Sequence, residues 1–156
     1  GLHPLAHGAY AWLAPEASWG WSNPGLIVDG EESLLVDTLF DLELTGEMLR
    51  QMRNAEPCSR KIGTLVNTHA NGDHTHGNEL VTGAEIIAST ASALEMTELT
   101  PETMAELMAG AGDMGPLGEY FRHCFGQFQF DFNDIEDLSQ TTWKGDLQDF
   151  KIENND

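Results

Sequence analysis

The sequence is poor in positive charge. Only 7 of its 156 residues are Lys or Arg, against 26 Asp or Glu, so its formal net charge is −19. A surface of this sign repels phosphate backbones and anionic lipid headgroups, and we therefore expect neither a nucleic-acid partner nor a membrane partner. The acidity is typical of a well-solvated surface or of a protein from a saline habitat, and it indicates little about chemistry.

Cysteine and long apolar runs are also scarce. Cys58 and Cys124 lie far apart without a C-x-x-C spacing, which excludes a zinc ribbon or a disulfide framework, and we expect both to be reduced thiols. No apolar run approaches the ~18–20 residues of a membrane span, and the N-terminus lacks the pattern of a secretory leader. We expect a cytoplasmic protein, although Gly1 could follow a removed leader.

The composition favours one folded unit. With 40% hydrophobic residues, the chain can bury a core. The sequence contains no repeat, low-complexity tract or interdomain linker. We therefore expect a single domain over residues 1–156.

Strands are predicted where short apolar stretches lie between turn residues. These stretches are residues 9–13, 25–28, 33–36, 62–66 and 85–88. Asp29 and Gly30, between two of them, predict a β-hairpin. Near the end of the chain, the alternating phenylalanines of residues 125–132 and the pattern of residues 143–152 predict extended segments.

Helices are predicted in three places. Residues 45–52 have apolar side chains at helical spacing. Thr100 followed by Pro101 is typical of a helix start, and the helix should run to about Ala109. After a glycine-rich break over residues 110–118, a last helical segment should extend through Cys124.

The candidate chemistry lies directly after the predicted strand at residues 62–66. Within eight residues the chain offers His69, Asp73, His74 and His76. Loops at the carboxyl ends of strands commonly carry sites, and zinc favours imidazole nitrogen together with carboxylate oxygen. A solvated polar loop is the alternative interpretation of the same residues.

The segment THANGDHTHGN, residues 68–78, resembles the T-H-x-H-x-D-H-x-x-G-N signature of the metallo-β-lactamase superfamily. Two upstream segments, LLVDT at residues 34–38 and SNPGLIV at residues 22–28, resemble early strands of the same fold. The resemblance implies a layered α/β fold, the αββα sandwich, of which this chain would be the N-terminal half. We therefore expect a mixed sheet with helices on one face.

The resemblance also implies roles for individual residues. His69 matches a ligand of the first metal, whereas Asp73 and His74 match the pair that binds the second. Asp73 would also orient or deprotonate the attacking water. Asn71 stands where the family has a second histidine, and its amide is a weaker zinc donor. Asp37 matches a carboxylate that supports the ligands without binding metal.

The family's later ligands have no counterpart in this chain. His123 is the one histidine after His76 in the sequence, and it lacks the expected glycine and threonine neighbours. The resemblance therefore implies a hydrolase that acts on an unidentified small molecule. Complete members of the family bind one or two zinc ions. Because later ligands are missing, we expect the site in this chain to be incomplete and its activity to be weak. The alternative is a non-catalytic truncated half-fold that acts as a self-assembling or binding module.

Three further expectations concern the surroundings of the site. We expect His76 to face solvent. The tryptophans at positions 12, 19 and 21 flank the predicted pocket and could contact substrate or pack in the core. We also expect a homodimer, because the apolar strand positions exceed what helices on one side could cover. These positions are Leu26, Val28, Leu35, Ile62, Val66 and Ile87.

Overall fold

The computed structural model describes residues 1–14, 22–125 and 135 of the chain. The described strands form one six-stranded sheet, in which they follow each other in chain order. They are β1 (Leu2–Pro4), β2 (Ala9–Trp12), β3 (Gly25–Asp29), β4 (Glu32–Val36), β5 (Thr64–Val66) and β6 (Glu85–Ile87). The pairs from β1 to β4 are antiparallel, and β4, β5 and β6 run parallel. The sheet is therefore mixed.

The described helices are α1 (Leu42–Ala55), α2 (Gly72–Thr75), α3 (Thr90–Glu95), α4 (Pro101–Gly110) and α5 (Pro116–Phe125). Short 3₁₀ turns lie at Pro57–Lys61, Asn78–Leu80 and Ala111–Asp113. No helix in the described part of the chain is both long and apolar enough to cross a membrane.

The predicted hairpin joins β3 to β4. Asp29 pairs with Glu32, so the turn is formed by Gly30 and Glu31, one residue later than the Asp-Gly pair suggests. Gly30 adopts a φ of 61°, which glycine accepts without steric cost. The hairpin prediction is confirmed.

Helix α1 is longer than predicted at both ends. It begins after Asp41, whose carboxylate accepts a 2.8 Å hydrogen bond from the Leu44 amide. Such a side-chain cap satisfies an amide that has no partner within the helix. The helix ends at Ala55, shortly before Pro57, which cannot continue it.

The main core lies between α1 and one face of the sheet. Its strand members include Leu26, Leu35 and Leu65, which are fully buried against the helix. The buried residues of α1 are Thr45, Met48, Leu49 and Met52. Truncating one of these large apolar side chains to alanine would cost about 2–5 kcal/mol of stability.

The opposite face of the sheet is less apolar than the sequence suggests. From the sequence, we expect six apolar positions to be too many for helices on one side of the sheet to cover. Four of them belong to the α1 core or pack against it, namely Leu26, Val28, Leu35 and Ile62. Strand alternation places the other two, Val66 and Ile87, on the opposite face together with Ile27. Ile27 is 47% exposed within the described residues.

The segment after β6 is helical. Ser89 caps α3, a six-residue helix that the sequence pattern does not predict. Thr100 caps α4 through the Thr103 amide, as predicted. The glycine-rich stretch contains a 3₁₀ turn and the start of α5, which includes Phe125. The rest of the extended segment predicted at residues 125–132 lies outside the described residues. The predicted strand at residues 143–152 and the tryptophans at positions 19 and 21 lie outside the described residues.

Candidate metal centre

The candidate loop follows β5 at the carboxyl edge of the sheet. Two buried amide side chains hold it in place, because Asn78 Nδ2 donates to Asn67 Oδ1 at 2.8 Å and Asn67 Nδ2 donates to the His74 carbonyl at 3.0 Å. The Thr38 amide and hydroxyl donate to the same His74 carbonyl, at 2.9 and 3.1 Å. The backbone around His74 is therefore fixed by β4 and β5 together.

Asp37, directly after β4, organises the loop. Its Oδ1 accepts a hydrogen bond from the Thr68 amide, and its Oδ2 accepts from the Thr68 hydroxyl and from His74 Nδ1, at 2.8 to 2.9 Å. Burial alone would raise the pKa of Asp37, but these hydrogen bonds outweigh it and hold the pKa below its usual value. Asp37 has a φ of 62°, a left-handed conformation that Asp tolerates better than most residues.

His74 lies between two carboxylates. Its Nδ1 is 2.9 Å from Asp37 Oδ2, and its Nε2 is 3.3 Å from Asp73 Oδ2. Burial lowers the pKa of His74, but the two carboxylates outweigh this effect and raise it to about 9. In the metal-free protein the His74 imidazole is therefore protonated at neutral pH. The two neighbouring carboxylates make its position favourable for positive charge.

His69 is linked to the same carboxylate through Thr68. The Thr68 hydroxyl donates to Asp37, so it accepts from His69 Nδ1, which is 2.9 Å away. We infer that this proton on Nδ1 leaves the lone pair of His69 on Nε2. The rings of His69 and His74 lie 3.9 Å apart between centroids. One buried carboxylate thus orients both imidazoles through their Nδ1 atoms.

Asn71 lies at the start of α2 with an exposed side chain that makes no capping hydrogen bond. Its carbonyl accepts from the His74 amide at 2.9 Å and from the Thr75 hydroxyl at 3.3 Å. Asn71 therefore shapes the loop through its backbone.

The prediction that His76 faces solvent is wrong. Its side chain is 1% exposed, and Nδ1 donates to the Phe40 carbonyl at 3.2 Å. Burial lowers the pKa of His76 to about 4, so the ring is neutral at physiological pH. The ring lies against Gly72, where an added Cβ would be 2.5 Å from His76 Nε2. A glycine four residues before His76 was the signal that could have located this ring, because i and i+4 share a helix face.

The donor chemistry fits part of a zinc site. Zinc commonly takes four ligands from imidazole, thiolate and carboxylate, and a carboxylate often holds the other nitrogen of a ligating imidazole. His69, Asp73 and His74 provide that chemistry, and Asp37 provides the supporting carboxylate. Among the residues that the structure describes, however, no group of three or more His, Cys, Asp or Glu side chains is arranged to hold a metal ion. His123 is exposed on α5 and does not belong to this cluster.

A cleft of about 520 Å³ opens beside Asp73. One wall is the loop at residues 70–73 together with His76. Phe40 and side chains of the segment after β6 form the other wall. A small molecule in this cleft would therefore lie directly against the candidate catalytic carboxylate.

The family model described as the metallo-beta-lactamase superfamily matches residues 18–146. The chain belongs to the metallo-beta-lactamase superfamily. A search of curated proteins found no match.

Two solved metallo-beta-lactamase structures share the fold. One, from Pontibacter korlensis, has a TM-score of 0.52 at 21% identity, and the other, from Hirschia baltica, has a TM-score of 0.50 at 23% identity. Each alignment covers 63% of this chain and 47% of the other chain. The predicted fold class is thereby confirmed, and the chain spans about half the length of these superfamily members. Metal binding by His69, Asp73 and His74 stays a prediction.

The support from Asp37 leads to a first prediction. In Asp37→Asn the left-handed backbone should persist, since Asn also tolerates it, but the negative charge that holds His74 and Thr68 is lost. We expect zinc affinity to fall about 10- to 100-fold, the usual effect of losing such a supporting carboxylate. Competition with a chromophoric chelator measures this change. The exposed Asp113→Asn carries the same charge change and should keep the original affinity, and an unchanged affinity in Asp37→Asn would contradict the role given to Asp37.

A second prediction concerns pH and the metal-free protein. His74 has a raised pKa, so its contribution to stability is complete below pH 6.5 and is lost as the pH rises through about 9. His76 has a lowered pKa, so stability falls as the pH drops from 6.5 towards 4. Urea denaturation with a chelator present should show greatest stability near pH 6.5.

The alkaline loss should be about 1–2 kcal/mol, after allowance for solvent screening of the partly exposed His74. His74→Gln should remove it, whereas the exposed His3→Gln should leave it unchanged. A free energy of unfolding that rises between pH 6.5 and 9 in the unsubstituted chain would contradict the raised pKa.

Proposed function

We propose that the chain carries the N-terminal part of the active site of a zinc-dependent hydrolase. His69, Asp73 and His74 would hold zinc, with Asn71 as a weak additional donor. The observation that carries the proposal is the Asp37 carboxylate, which bonds His74 Nδ1 directly and reaches His69 Nδ1 through the Thr68 hydroxyl. This arrangement is typical of histidines whose Nε2 atoms bind a metal.

When bound, zinc would lower the pKa of a water molecule to about 7 and polarise the oxygen of the substrate's electrophilic carbonyl or phosphoryl group. The chain's own residues would support this chemistry. Asp73, at the mouth of the cleft, would orient the attacking water and accept its proton. Asp37 would keep both imidazoles in the tautomer that exposes Nε2. The buried, neutral His76 would support the loop by packing against it.

The proposal includes a limit on activity. Three donors, together with the weak Asn71, are fewer than a two-metal site requires, and a site with too few donors binds metal poorly. We therefore expect the 156-residue chain to hydrolyse a small-molecule substrate weakly. A cytoplasmic location belongs to the same proposal.

Zinc titration of the purified chain tests the proposal. We expect about one zinc ion or less per chain at micromolar zinc, together with slow zinc-dependent turnover of a lactam, thioester or lactone. Both should be lost in Asp73→Ala and kept in Asp113→Ala, which removes an exposed carboxylate outside the cleft lining. Absence of zinc binding at millimolar zinc would overturn the proposal and favour a non-catalytic module.

Restoring a histidine at position 71 should strengthen the site. Because imidazole is a better zinc donor than an amide oxygen, we expect Asn71→His to raise zinc affinity about tenfold or more. Isothermal titration calorimetry measures the change. Asn54→His, on the exposed end of α1, is the matched control and should bind as the original chain does. Unchanged zinc affinity in Asn71→His would show that this side chain does not reach the metal.

We also propose that the chain forms a homodimer through the sheet face opposite α1. Ile27 is a large exposed apolar residue on this face, and it pairs across strands with the partly buried Leu34. Burying such surface against a second copy would stabilise association. Light scattering should give about twice the 17.1 kDa chain mass, and Ile27→Asp should give the monomer mass. A monomer mass for the unsubstituted folded chain would refute the dimer.

A further inference from the structure

The wall of the cleft opposite the candidate metal loop has an apolar part beside two glutamates. Phe40 and Met104 are buried and form a small cluster with Phe121, and Leu99 is half exposed at the rim. A cleft of about 520 Å³ falls within the ~300–1,000 Å³ range of small-molecule sites, which are mostly apolar with a few polar groups. The size and lining of the cleft suit an aromatic or branched aliphatic group.

Acidic side chains predominate among the ionisable groups in the described lining of the cleft. Glu95 and Glu98 line it together with Asp73, and none of its described lining residues is Lys or Arg. The remaining ionisable side chain in the described lining, His76, is buried, and its Nδ1 donates to the Phe40 carbonyl at 3.2 Å. If Asp73 binds metal, the two glutamate carboxylates still line the cleft with acidic groups.

Glu95 and Glu98 belong to the same turn at the end of α3. The Glu98 amide donates to the Glu95 carbonyl at 2.9 Å, so the two side chains start from adjacent positions. Like charges at this spacing repel each other. In the described part of the chain, neither carboxylate forms an ion pair. A cation in the cleft would relieve this repulsion, and an anion would increase it.

We propose that the cleft binds the apolar part of a substrate that is cationic or neutral, and that Glu95 and Glu98 exclude anionic substrates. The proposal rests on the proposed hydrolase function, because it names the substrate class for that site. Glu95 and Glu98 are then specificity-determining residues, acting through charge at the rim. Leu99 and Met104 supply contact surface for the apolar group.

Three probes of similar size and different charge test the proposal. Phenethylammonium, 2-phenylethanol and phenylacetate would be titrated into the zinc-free chain at 0.15 M salt, with amide shifts followed by two-dimensional NMR. We expect phenethylammonium to bind about three- to tenfold more tightly than 2-phenylethanol, and phenylacetate at least about threefold more weakly. The shifts should include the amides of Leu99, Met104 and Phe121.

Matched variants separate a local effect from a general one. Glu95→Gln with Glu98→Gln should reduce the affinity differences among the three probes and leave only the contribution of Asp73, whose carboxylate lies 3.3 Å from His74 Nε2. Glu102→Gln with Glu106→Gln makes the same charge change at exposed positions of α4 outside the cleft lining. This variant should bind the three probes in the same order of affinity as the unsubstituted chain. Leu99→Ser should weaken all three probes by a similar factor.

Three results would overturn the proposal. The first is equal affinity of the unsubstituted chain for all three probes. The second is an equal loss of charge selectivity in both double glutamate variants. The third is a set of amide shifts that map away from the cleft. Because zinc is absent, the result does not depend on metal binding. Charge-selective binding together with a failed zinc titration would leave the cleft assignment standing while the hydrolase proposal fails.

Discussion

Replacing His74 by alanine is expected to lower the zinc affinity of the chain at least about a hundredfold. The change removes one of three strong donors, so its effect should exceed the 10- to 100-fold expected for losing the supporting carboxylate. It also removes the hydrogen bond between His74 Nδ1 and the buried Asp37. Competition with a chromophoric chelator at pH 7.5 measures the affinity, and circular dichroism verifies that the variant is folded.

His3→Ala is the control for the His74 variant, because His3 is exposed on the edge strand β1. It should bind zinc as the original chain does. If His74→Ala retains full affinity while it remains folded, zinc binds elsewhere and the assignment of the candidate metal centre is wrong.

Replacing Gly77 by alanine is expected to destabilise the fold by about 3 kcal/mol or more, the range of severe overpacking. An added Cβ would overlap the Thr45 hydroxyl and lie 2.6 Å from Thr45 Cβ. Thr45 cannot move freely, since it is fully buried in α1 and its hydroxyl accepts from the Leu39 amide at 3.2 Å. Gly77 is held as well, because its amide donates to the Thr38 hydroxyl at 3.2 Å.

Urea denaturation of the metal-free chain measures this loss. Gly110→Ala is the matched control, because an added Cβ at Gly110 meets nothing within 4 Å and the position ends a helix. It should be neutral or slightly stabilising. A Gly77→Ala variant as stable as Gly110→Ala would mean that the close packing between α1 and the metal loop is not present in solution.

The parts of the fold that the sequence predicted are those with strong local patterns. The hairpin at Gly30 and the helix capped by Thr100 follow from turn and capping preferences that act over four residues. Strand β1 could not be predicted, because three residues containing Pro4 have no alternation of their own and become a strand only by pairing with β2. The one-turn helix α2 is likewise too short for a periodic pattern.

The candidate site shows the same division. The sequence motif predicted His69, Asp73 and His74 as site residues. The resemblance of residues 34–38 to the superfamily indicated that Asp37 supports the ligands. The bridging role of Thr68 depends on a hydrogen bond between neighbouring side chains, and no spacing rule predicts it. The burial of His76 depends on Gly72 and on the Phe40 carbonyl 36 residues away, a distant contact that the sequence does not reveal.

The order of the strands has a consequence for synthesis on the ribosome. Each of the six described strands pairs with its neighbour in sequence, so no strand within residues 1–14 and 22–125 must wait for a distant partner. Contacts between nearby segments form quickly, since closing short loops costs little entropy. Asp37, Thr68 and His74 lie within this stretch. The growing polypeptide can therefore assemble the supporting network of the candidate metal centre as soon as β6 has left the exit tunnel.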